Sequence, residues 1–323
     1  MTSLIEQAAQ RLEQLRQAGV VLPGDEPAVA PAPEAAVAAP AALAPQAVVA
    51  QPKAARAAQD NGLHPASKRV ELDVVALAAQ GFLMPHMPRT QTADQYRVIK
   101  RPLIKNAMGK GAATINHANL LMVTSALAGE GKSFTSINLA LSIAAELDNT
   151  VMLVDADVAR PSVLRMLGLP QGQGLLDVLE DRVEMPEVLL RTNIEKLTIL
   201  PSGTPHPRAT ELLASEAMSL LLEDMAKRYP DRIIIFDSPP LLLTTESRVL
   251  ASHMGQIIVV VHAEKTPQSA VQQALATIES CPVKMMLLNQ ASPNAAGGYG
   301  YGYGYGYGYG YGYGYDSNDS AQS

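Results

Sequence analysis

The chain has 323 residues and a net charge of −6, with 25 lysines and arginines against 31 aspartates and glutamates. This balance offers no broad basic surface, so it excludes a purely electrostatic binder of nucleic acid or anionic lipid. The single cysteine, Cys281, excludes an internal disulfide and argues against a cysteine-based metal cluster.

Residues 1–20 are predicted to contain an amphipathic helix over residues 3–18. Ser3 and Glu6 have the spacing of a capping box, and Gly19 ends the pattern. One face of this helix is apolar, formed by Leu4, Ile5, Ala8, Leu12 and Leu15. Two interpretations stay open, a frayed helix and a helix that docks on a partner. The opening residues lack a secretory signal, which favours a cytoplasmic protein.

Residues 21–90 are predicted to be a flexible linker. The stretch 23–66 is rich in alanine and proline and has almost no large apolar side chains with which to form a core. Residues 35–52 carry no charge, but Pro40 and Pro45 interrupt them. We therefore do not expect a membrane-spanning helix there.

Residues 91–292 are predicted to form one α/β domain, because short apolar runs alternate with longer helical patterns. The runs are nearly uninterrupted, which is typical of parallel strands covered by helices on both faces. Strands are predicted at 119–124, 150–154, 197–200, 232–236, 256–261 and 283–288, and helices at 133–147, 209–228 and 267–280.

Residues 293–323 form a C-terminal tail in which tyrosine and glycine alternate. Glycine at every second position raises the entropic cost of ordering, so the tail is predicted to be disordered and exposed. The tail contains nine of the chain's 11 tyrosines: Tyr299, Tyr301, Tyr303, Tyr305, Tyr307, Tyr309, Tyr311, Tyr313 and Tyr315.

A phosphate-binding loop is predicted at residues 124–133, between the strand predicted at 119–124 and the helix predicted at 133–147. Two glycines allow close approach of the backbone to phosphate, Lys132 can reach the β and γ oxygens, and Ser133 can ligate Mg²⁺. Ala126 stands where the strict motif has its first glycine. The residues expected around the nucleotide are Gly129, Glu130, Gly131, Lys132, Ser133 and Phe134.

Three aspartates follow predicted strands: Asp155, Asp157 and Asp237. A lone aspartate at a strand end favours a helix cap, but ligands bind at the carboxyl edge of a parallel sheet. Three acids behind a Gly-Lys-Ser loop therefore indicate Mg²⁺–nucleotide chemistry, with Asp237 holding the metal directly or through water. The predicted fold class is a P-loop NTPase fold, a mostly parallel sheet with helices on both faces.

These motifs resemble the bacterial tyrosine kinases (BY-kinases) over about residues 92–315. Three motifs carry the resemblance: GEGKS at 129–133, DADVARP at 155–161 and IIIFDSPP at 233–240. With TTESRVLA at 244–251 and DQYRVIKRPL at 94–103, the chain is similar to the exosortase-associated tyrosine autokinases of exopolysaccharide gene clusters.

The resemblance implies ATP-dependent autophosphorylation of the tail tyrosines and a role in regulating exopolysaccharide synthesis and export. Lys132 and Ser133 would contact phosphate and metal, and Asp237 would hold Mg²⁺. Asp155 and Asp157 would lie near the transferred phosphoryl group, with Asp155 also a metal ligand. Either aspartate could take the tyrosine proton. Asn289 resembles a residue that faces the base in related ATPases, although a capping role is equally open.

The resemblance also implies a ring-like homo-oligomer whose members phosphorylate one another's tails. Asp94, Arg97 and Lys100 resemble, with charge swaps, the pattern through which such rings form, although three charges on a helix face are usually just solvated. A membrane polysaccharide chain-length regulator is implied as activator. It would recruit the protein to the inner face of the membrane.

Three positions depart from the family pattern: Ala128, Ala159 and Glu246. None of them removes a phosphate or metal ligand. Two rival functions remain. A MinD/ParA-like ATPase would carry a second lysine at the position of Leu127. A non-enzymatic nucleotide-binding regulator would use the tail as an adhesive.

Overall fold

The computed structural model of the chain describes residues 67–85, 90–228 and 231–291. The helix predicted at 3–18, the linker up to residue 66 and the tyrosines of the tail lie outside this part of the chain. The described residues contain an eight-stranded sheet with the order β1-β4-β5-β3-β6-β2-β7-β8. The strands are β1 (Lys68–Val70), β2 (Leu120–Ser125), β3 (Thr150–Asp155), β4 (Leu190–Thr192), β5 (Leu197–Leu200), β6 (Arg232–Asp237), β7 (Gln256–His262) and β8 (Val283–Asn289).

The six strands from β5 to β8 across the sheet run parallel, whereas β4 pairs antiparallel with β5. Helices connect the strands: α1 (Val74–Ala79), α2 (Gln91–Ala107), α3 (Lys132–Ala144), α4 (Val163–Met166), α5 (Leu175–Leu179), α6 (Met185–Val188), α7 (Ala209–Leu213), α8 (Glu216–Arg228), α9 (Glu246–Ser252) and α10 (Gln268–Ala276). The predicted α/β fold class is confirmed, and all six predicted strands are present within one residue of their expected bounds.

Two hydrophobic clusters cover the two faces of the sheet. Successive residues of a strand alternate between them, so Met122 lies in one cluster and Val123 in the other. The first cluster includes residues of α8 such as Met218 and Leu222, and the second includes residues of α3 such as Ile137. Both faces of the central strands are therefore apolar, which is why these strands read as uninterrupted hydrophobic runs.

The predicted linker over residues 21–90 is wrong for the described residues 67–85. Strand β1 pairs in parallel with β4, and the side chain of Leu72 is 3% exposed. Asn193 holds this segment through both groups of its amide: Oδ1 accepts from Leu72 N at 3.0 Å and Nδ2 donates to Leu72 O at 3.0 Å. These paired contacts add the segment to the folded domain, which therefore begins before residue 91.

The helix predicted at 209–228 is two helices, α7 and α8. The break is at Ser215, whose hydroxyl donates to Leu212 O at 2.7 Å and accepts from Met218 N at 3.2 Å. A serine that bonds locally to the backbone on both sides competes with helix continuation and caps the second helix.

The charged residues expected on one solvated face of α2 do not share an environment. Asp94 and Arg97 form an ion pair whose side chains are 61% and 41% exposed. Lys100 is buried, and its ammonium donates to Ser142 O and lies 2.7 Å from Glu146 Oε1. The expectation that Lys100 is solvated is therefore wrong, since its ammonium is engaged within its own subunit, whereas Asp94 and Arg97 are accessible.

No helix within the described ranges is both long enough and apolar enough to cross a bilayer. The uncharged stretch at 35–52 lies outside those ranges.

Candidate active site

The loop between β2 and α3 turns sharply at two glycines. Gly129 and Gly131 have φ values of 83° and 89°, in the left-handed region that disfavours other residues. A Cβ on Gly131 would lie 2.1 Å from the side-chain nitrogen of Asn289. Gly131 is also the N-cap of α3, so the loop delivers free backbone N–H groups at the start of a helix. This arrangement can bind phosphate.

Lys132 is held at the base of the loop by Asp157. Its Nζ lies 2.6 Å from Asp157 Oδ2, and the two side chains are 13% and 6% exposed. Burial lowers the pKa of Lys132, but the carboxylates of Asp237, Asp157 and Asp155 outweigh burial and raise this pKa overall. The ammonium therefore keeps its charge at neutral pH and can pair with phosphate oxygens.

Asp155 and Asp237 end the neighbouring strands β3 and β6 and are register partners. Asp155 Oδ2 accepts from Ser162 N and Val163 N, both at 3.0 Å, and Asp237 Oδ1 accepts from Ser136 Oγ at 3.0 Å. The other oxygens, Asp155 Oδ1 and Asp237 Oδ2, are buried without a hydrogen-bond partner among the described residues. Unpaired buried carboxylate oxygens are costly, so this pair is suited to a cation.

Burial is the main cause of the raised pKa of both aspartates. Burial first, and the neighbouring charge of Asp237 second, raise the pKa of Asp155 to about 7. Burial also raises the pKa of Asp237. Ser133 Oγ lies near this pair and accepts from Ser162 Oγ at 2.8 Å. These oxygen donors fit Mg²⁺, which is usually held by one or two carboxylates together with phosphate oxygens and waters.

A cleft with a volume of 590 Å³ opens above the loop. Its size is in the range of small-molecule sites. Sequence reasoning assigned no role to several of its residues: Arg160, Arg165, Met166, Pro239, Pro240, Leu243 and Thr244 also line it. Arg160 follows Asp157 closely in the second motif, which is a signal that could have been used. Arg165 belongs to the short helix α4, for which no helix was predicted.

The structure brings most of the predicted residues to this cleft. Those that line it are Gly129, Gly131, Lys132, Ser133, Phe134 and Asp157. Asp155 and Asp237 are 1% and 0% exposed and are not among the residues that line the cleft. Phe134 also packs on Phe82, with ring centroids 5.1 Å apart.

Glu130 and Asn289, both predicted near the nucleotide, make side-chain hydrogen bonds within the protein. Glu130 is 3% exposed, and neither residue lines the cleft. The Asn289 side chain donates from Nδ2 to Glu130 O at 2.9 Å, so its amide contacts the loop backbone. The predicted tyrosine acceptors lie outside the described residues.

Comparison with known proteins agrees with this geometry. The AAA domain family matches residues 118–290. The tyrosine-protein kinase YwqD of Bacillus subtilis (strain 168) is 30% identical over 199 residues, 62% of this chain and 80% of YwqD. The tyrosine-protein kinase ptk of Acinetobacter johnsonii is 32% identical over 181 residues, 55% of this chain but only 24% of ptk. The chain thus spans about a quarter of this longer relative.

Among solved structures, the VpsO kinase domain is similar to this chain with a TM-score of 0.51 and 26% identity. The match covers 63% of this chain and 100% of that domain. The fold and the phosphate loop therefore define a P-loop NTPase domain. Within that class, the chain belongs to the bacterial tyrosine kinase family.

Proposed function

We propose that this chain transfers the γ-phosphoryl group of ATP to tyrosines of its own C-terminal tail, with Mg²⁺ as the metal. The observation that carries the proposal is the pair of buried, unpaired carboxylate oxygens on Asp155 and Asp237 behind the loop that holds Lys132. A metal bound there would neutralise charge on the phosphates and help to orient them.

The residues divide by their position relative to the cleft. Lys132 would bind the phosphate oxygens, and the loop N–H groups around Gly129 and Gly131 would cradle them. Ser133, Asp155 and Asp237 would hold the metal. Asp157 lines the cleft, whereas Asp155 does not, which favours Asp157 as the group that orients the tyrosine hydroxyl and accepts its proton. Positioning and charge neutralisation account for most of the rate in such transfers.

The tail supplies the acceptors in this proposal. Tyr299 follows Asn289, the last residue of β8, by ten residues. An extended chain of that length spans roughly 33 Å, which is enough to reach a neighbouring subunit. Transfer in trans within a homo-oligomer is therefore feasible for the first tyrosine and easier for those that follow.

Phosphorylation would alter the charge of the tail. Modification of all nine tyrosines would add roughly −13 to −18, and tails held close together would then repel one another. We infer that this repulsion disassembles or reshapes the ring and so regulates exopolysaccharide synthesis and export. Light scattering before and after treatment with ATP tests the inference, and an unchanged mass contradicts it.

The names of the relatives support a tyrosine kinase activity, and the proposal adds a partner. The kinase domain is proposed to bind a membrane polysaccharide chain-length regulator, which would activate it and hold it at the inner face of the membrane. The amphipathic pattern at 3–18 is the proposed contact. If deletion of residues 1–60 leaves binding to this regulator unchanged in a pull-down, the contact lies elsewhere.

The kinase reaction is tested by incubating the protein with ATP and Mg²⁺ and analysing the tail by mass spectrometry. Phosphotyrosine is expected in the wild type and absent in Lys132→Met. Lys110→Met is the matched control, since Lys110 is exposed and distant in sequence from the loop. A tail without phosphotyrosine in the wild type removes the kinase proposal and leaves the two nucleotide-binding alternatives.

A further inference from the structure

The side chain of Glu130 makes two hydrogen bonds that do not involve the cleft. Leu127 N donates to Glu130 Oε2 at 2.6 Å, and the hydroxyl of Thr266 donates to Glu130 Oε1. The first bond spans the phosphate loop, from its beginning to a residue just before Lys132. The second reaches a residue distant in the sequence. A buried carboxylate that accepts two such bonds is strongly held, because charge-assisted hydrogen bonds are the stronger ones.

Both partners outside the loop are fixed to the ends of β7 and β8. Thr266 Oγ1 accepts from His262 N, in the last residue of β7, at 3.2 Å. Asn289, the last residue of β8, donates to Glu130 O at 2.9 Å and accepts from Ala263 N at 2.9 Å through its own carbonyl. We call Leu127, Glu130, Thr266 and Asn289 the Glu130 cluster. It ties the loop to two strands that do not otherwise border the nucleotide cleft.

The loop needs such support because its own backbone conformation is unfavourable. Gly129 and Gly131 both adopt positive φ, and glycine loses more freedom on ordering than any other residue. If the loop adopts this conformation in only a fraction of the molecules, only that fraction can bind nucleotide. The apparent affinity of the protein for nucleotide is then reduced by the same fraction.

We propose that Glu130 and Thr266 are positioning residues that hold the phosphate loop in its binding conformation before nucleotide arrives. This proposal rests on the proposed function, since it assumes that the loop binds ATP. Glu130 is not a ligand in this account: its carboxylate faces Leu127 and Thr266, and it does not line the cleft. The loop therefore loses its conformational entropy when the protein folds and not when nucleotide binds.

The test compares Thr266→Val, which removes the hydroxyl at nearly constant volume, with Thr266→Ser, which keeps it. Thr266→Val is expected to raise the KM for ATP at least about tenfold, because it removes the hydrogen bond to the charged Glu130 as well as the acceptor of His262 N. We expect kcat to change less than about twofold, because the ordering cost falls on binding. Thr266→Ser is expected to restore the wild-type KM.

Thr277→Val is the matched control. Thr277 is also half-buried and bonds through its hydroxyl to Ala274 O, but it lies at the end of α10, outside the Glu130 cluster. It is expected to leave KM and kcat unchanged. A second pair of variants tests the carboxylate. Glu130→Ala should behave like Thr266→Val. Glu130→Gln should have a smaller effect, because its amide can still accept from Leu127 N and contact Thr266.

Hydrogen exchange of the loop in nucleotide-free protein gives an independent measurement. The amide of Leu127 is expected to exchange at least about tenfold faster in Thr266→Val and Glu130→Ala than in the wild type. If wild type binds no Mg²⁺–ADP in a titration, the proposed function fails while the exchange data still decide on the cluster. If nucleotide binds but Thr266→Val retains wild-type KM and exchange, or Thr266→Ser fails to restore them, the positioning proposal is overturned.

Discussion

Asp155 and Asp237 lie opposite each other on β3 and β6, and each has one buried carboxylate oxygen without a partner among the described residues. Two like charges side by side in a buried site are stable only when one is protonated or when a cation lies between them. The same pair therefore determines both the proposed metal site and the response of the metal-free protein to pH.

The metal-free protein is predicted to lose stability as pH rises through the titration of Asp155. The pKa of this carboxyl is raised from 3.8 to about 7 in the folded state, so between these values the folded chain holds a proton that the unfolded chain has lost. Stability is then complete below about pH 4 and falls towards pH 7. Asp155→Asn removes the titration, and it should raise the melting temperature by at least about 3 °C at pH 8.

At pH 4.5 the same substitution should change the melting temperature little, because the wild-type carboxyl is already protonated. Calorimetry at both pH values, without Mg²⁺ or nucleotide, measures the difference. An equal effect of Asp155→Asn at pH 4.5 and pH 8 would show that the carboxyl does not titrate in this range.

Gly131→Ala is predicted to weaken nucleotide binding at least about tenfold. The new Cβ would meet Asn289 at 2.1 Å, and the left-handed backbone adds roughly 1–2 kcal/mol of strain. Gly168→Ala is the matched control: its φ is +72° and the space around it is open. It should lose a similar amount of stability to strain yet keep its affinity for Mg²⁺–ADP. Equal affinities for the two variants in a titration would contradict the role assigned to Gly131.

Substitutions of Lys100 and Arg97 are predicted to have different effects: the first should lower stability, and the second should leave stability nearly unchanged. Lys100→Met leaves Ser142 O without its buried donor, which should lower the free energy of unfolding by about 1–3 kcal/mol. Arg97→Ala removes only an exposed ion pair with Asp94 and should change stability by less than about 0.5 kcal/mol.

If Asp94 and Arg97 form the ring contact, Arg97→Ala should lower the mass of the oligomer in light scattering while leaving the stability of the subunit nearly unchanged. Denaturant titration reports the first effect and scattering the second. A stable Arg97→Ala protein with the wild-type mass would exclude this face of α2 from the ring.

Phosphorylation in trans is predicted from a mixture of two inactive partners. Lys132→Met supplies an intact tail without a competent loop, and a chain that ends at residue 292 supplies a competent loop without a tail. Mixed with ATP and Mg²⁺, the tail of the Lys132→Met protein should acquire phosphotyrosine. If the tail of the Lys132→Met protein stays unphosphorylated in this mixture while the wild-type protein phosphorylates its own tail, transfer occurs within one subunit.

Much of the sheet could be predicted because burial on both faces leaves a strong signal. The apolar runs of β2, β3 and β6 determine where three functional segments end, and hence which aspartates meet. The short strand β1 has no such signal: two of its three residues are Lys68 and Arg69. This strand pairs with β4, and Leu72 just after it bonds to the amide of Asn193, 121 residues away.

The site was predictable where the chemistry is local and unpredictable where it depends on long-range contacts. The loop, Lys132 and the strand-end aspartates follow from short motifs. Neither the burial of Lys100 against α3 nor the bond from Asn289 to Glu130 has a local pattern. Both needed the relative positions of segments far apart in the sequence.

Strand β8 ends beside the phosphate loop, at the same sheet edge as the cleft, and the sequence continues from there into the tail proposed as the acceptor. An acceptor joined covalently at this point reaches catalytic sites at an effective concentration in the millimolar range for a short tether. Such a local concentration can replace affinity. The repeated Tyr-Gly sequence would then need no side chains that distinguish one acceptor from the next, and any tyrosine within reach would serve.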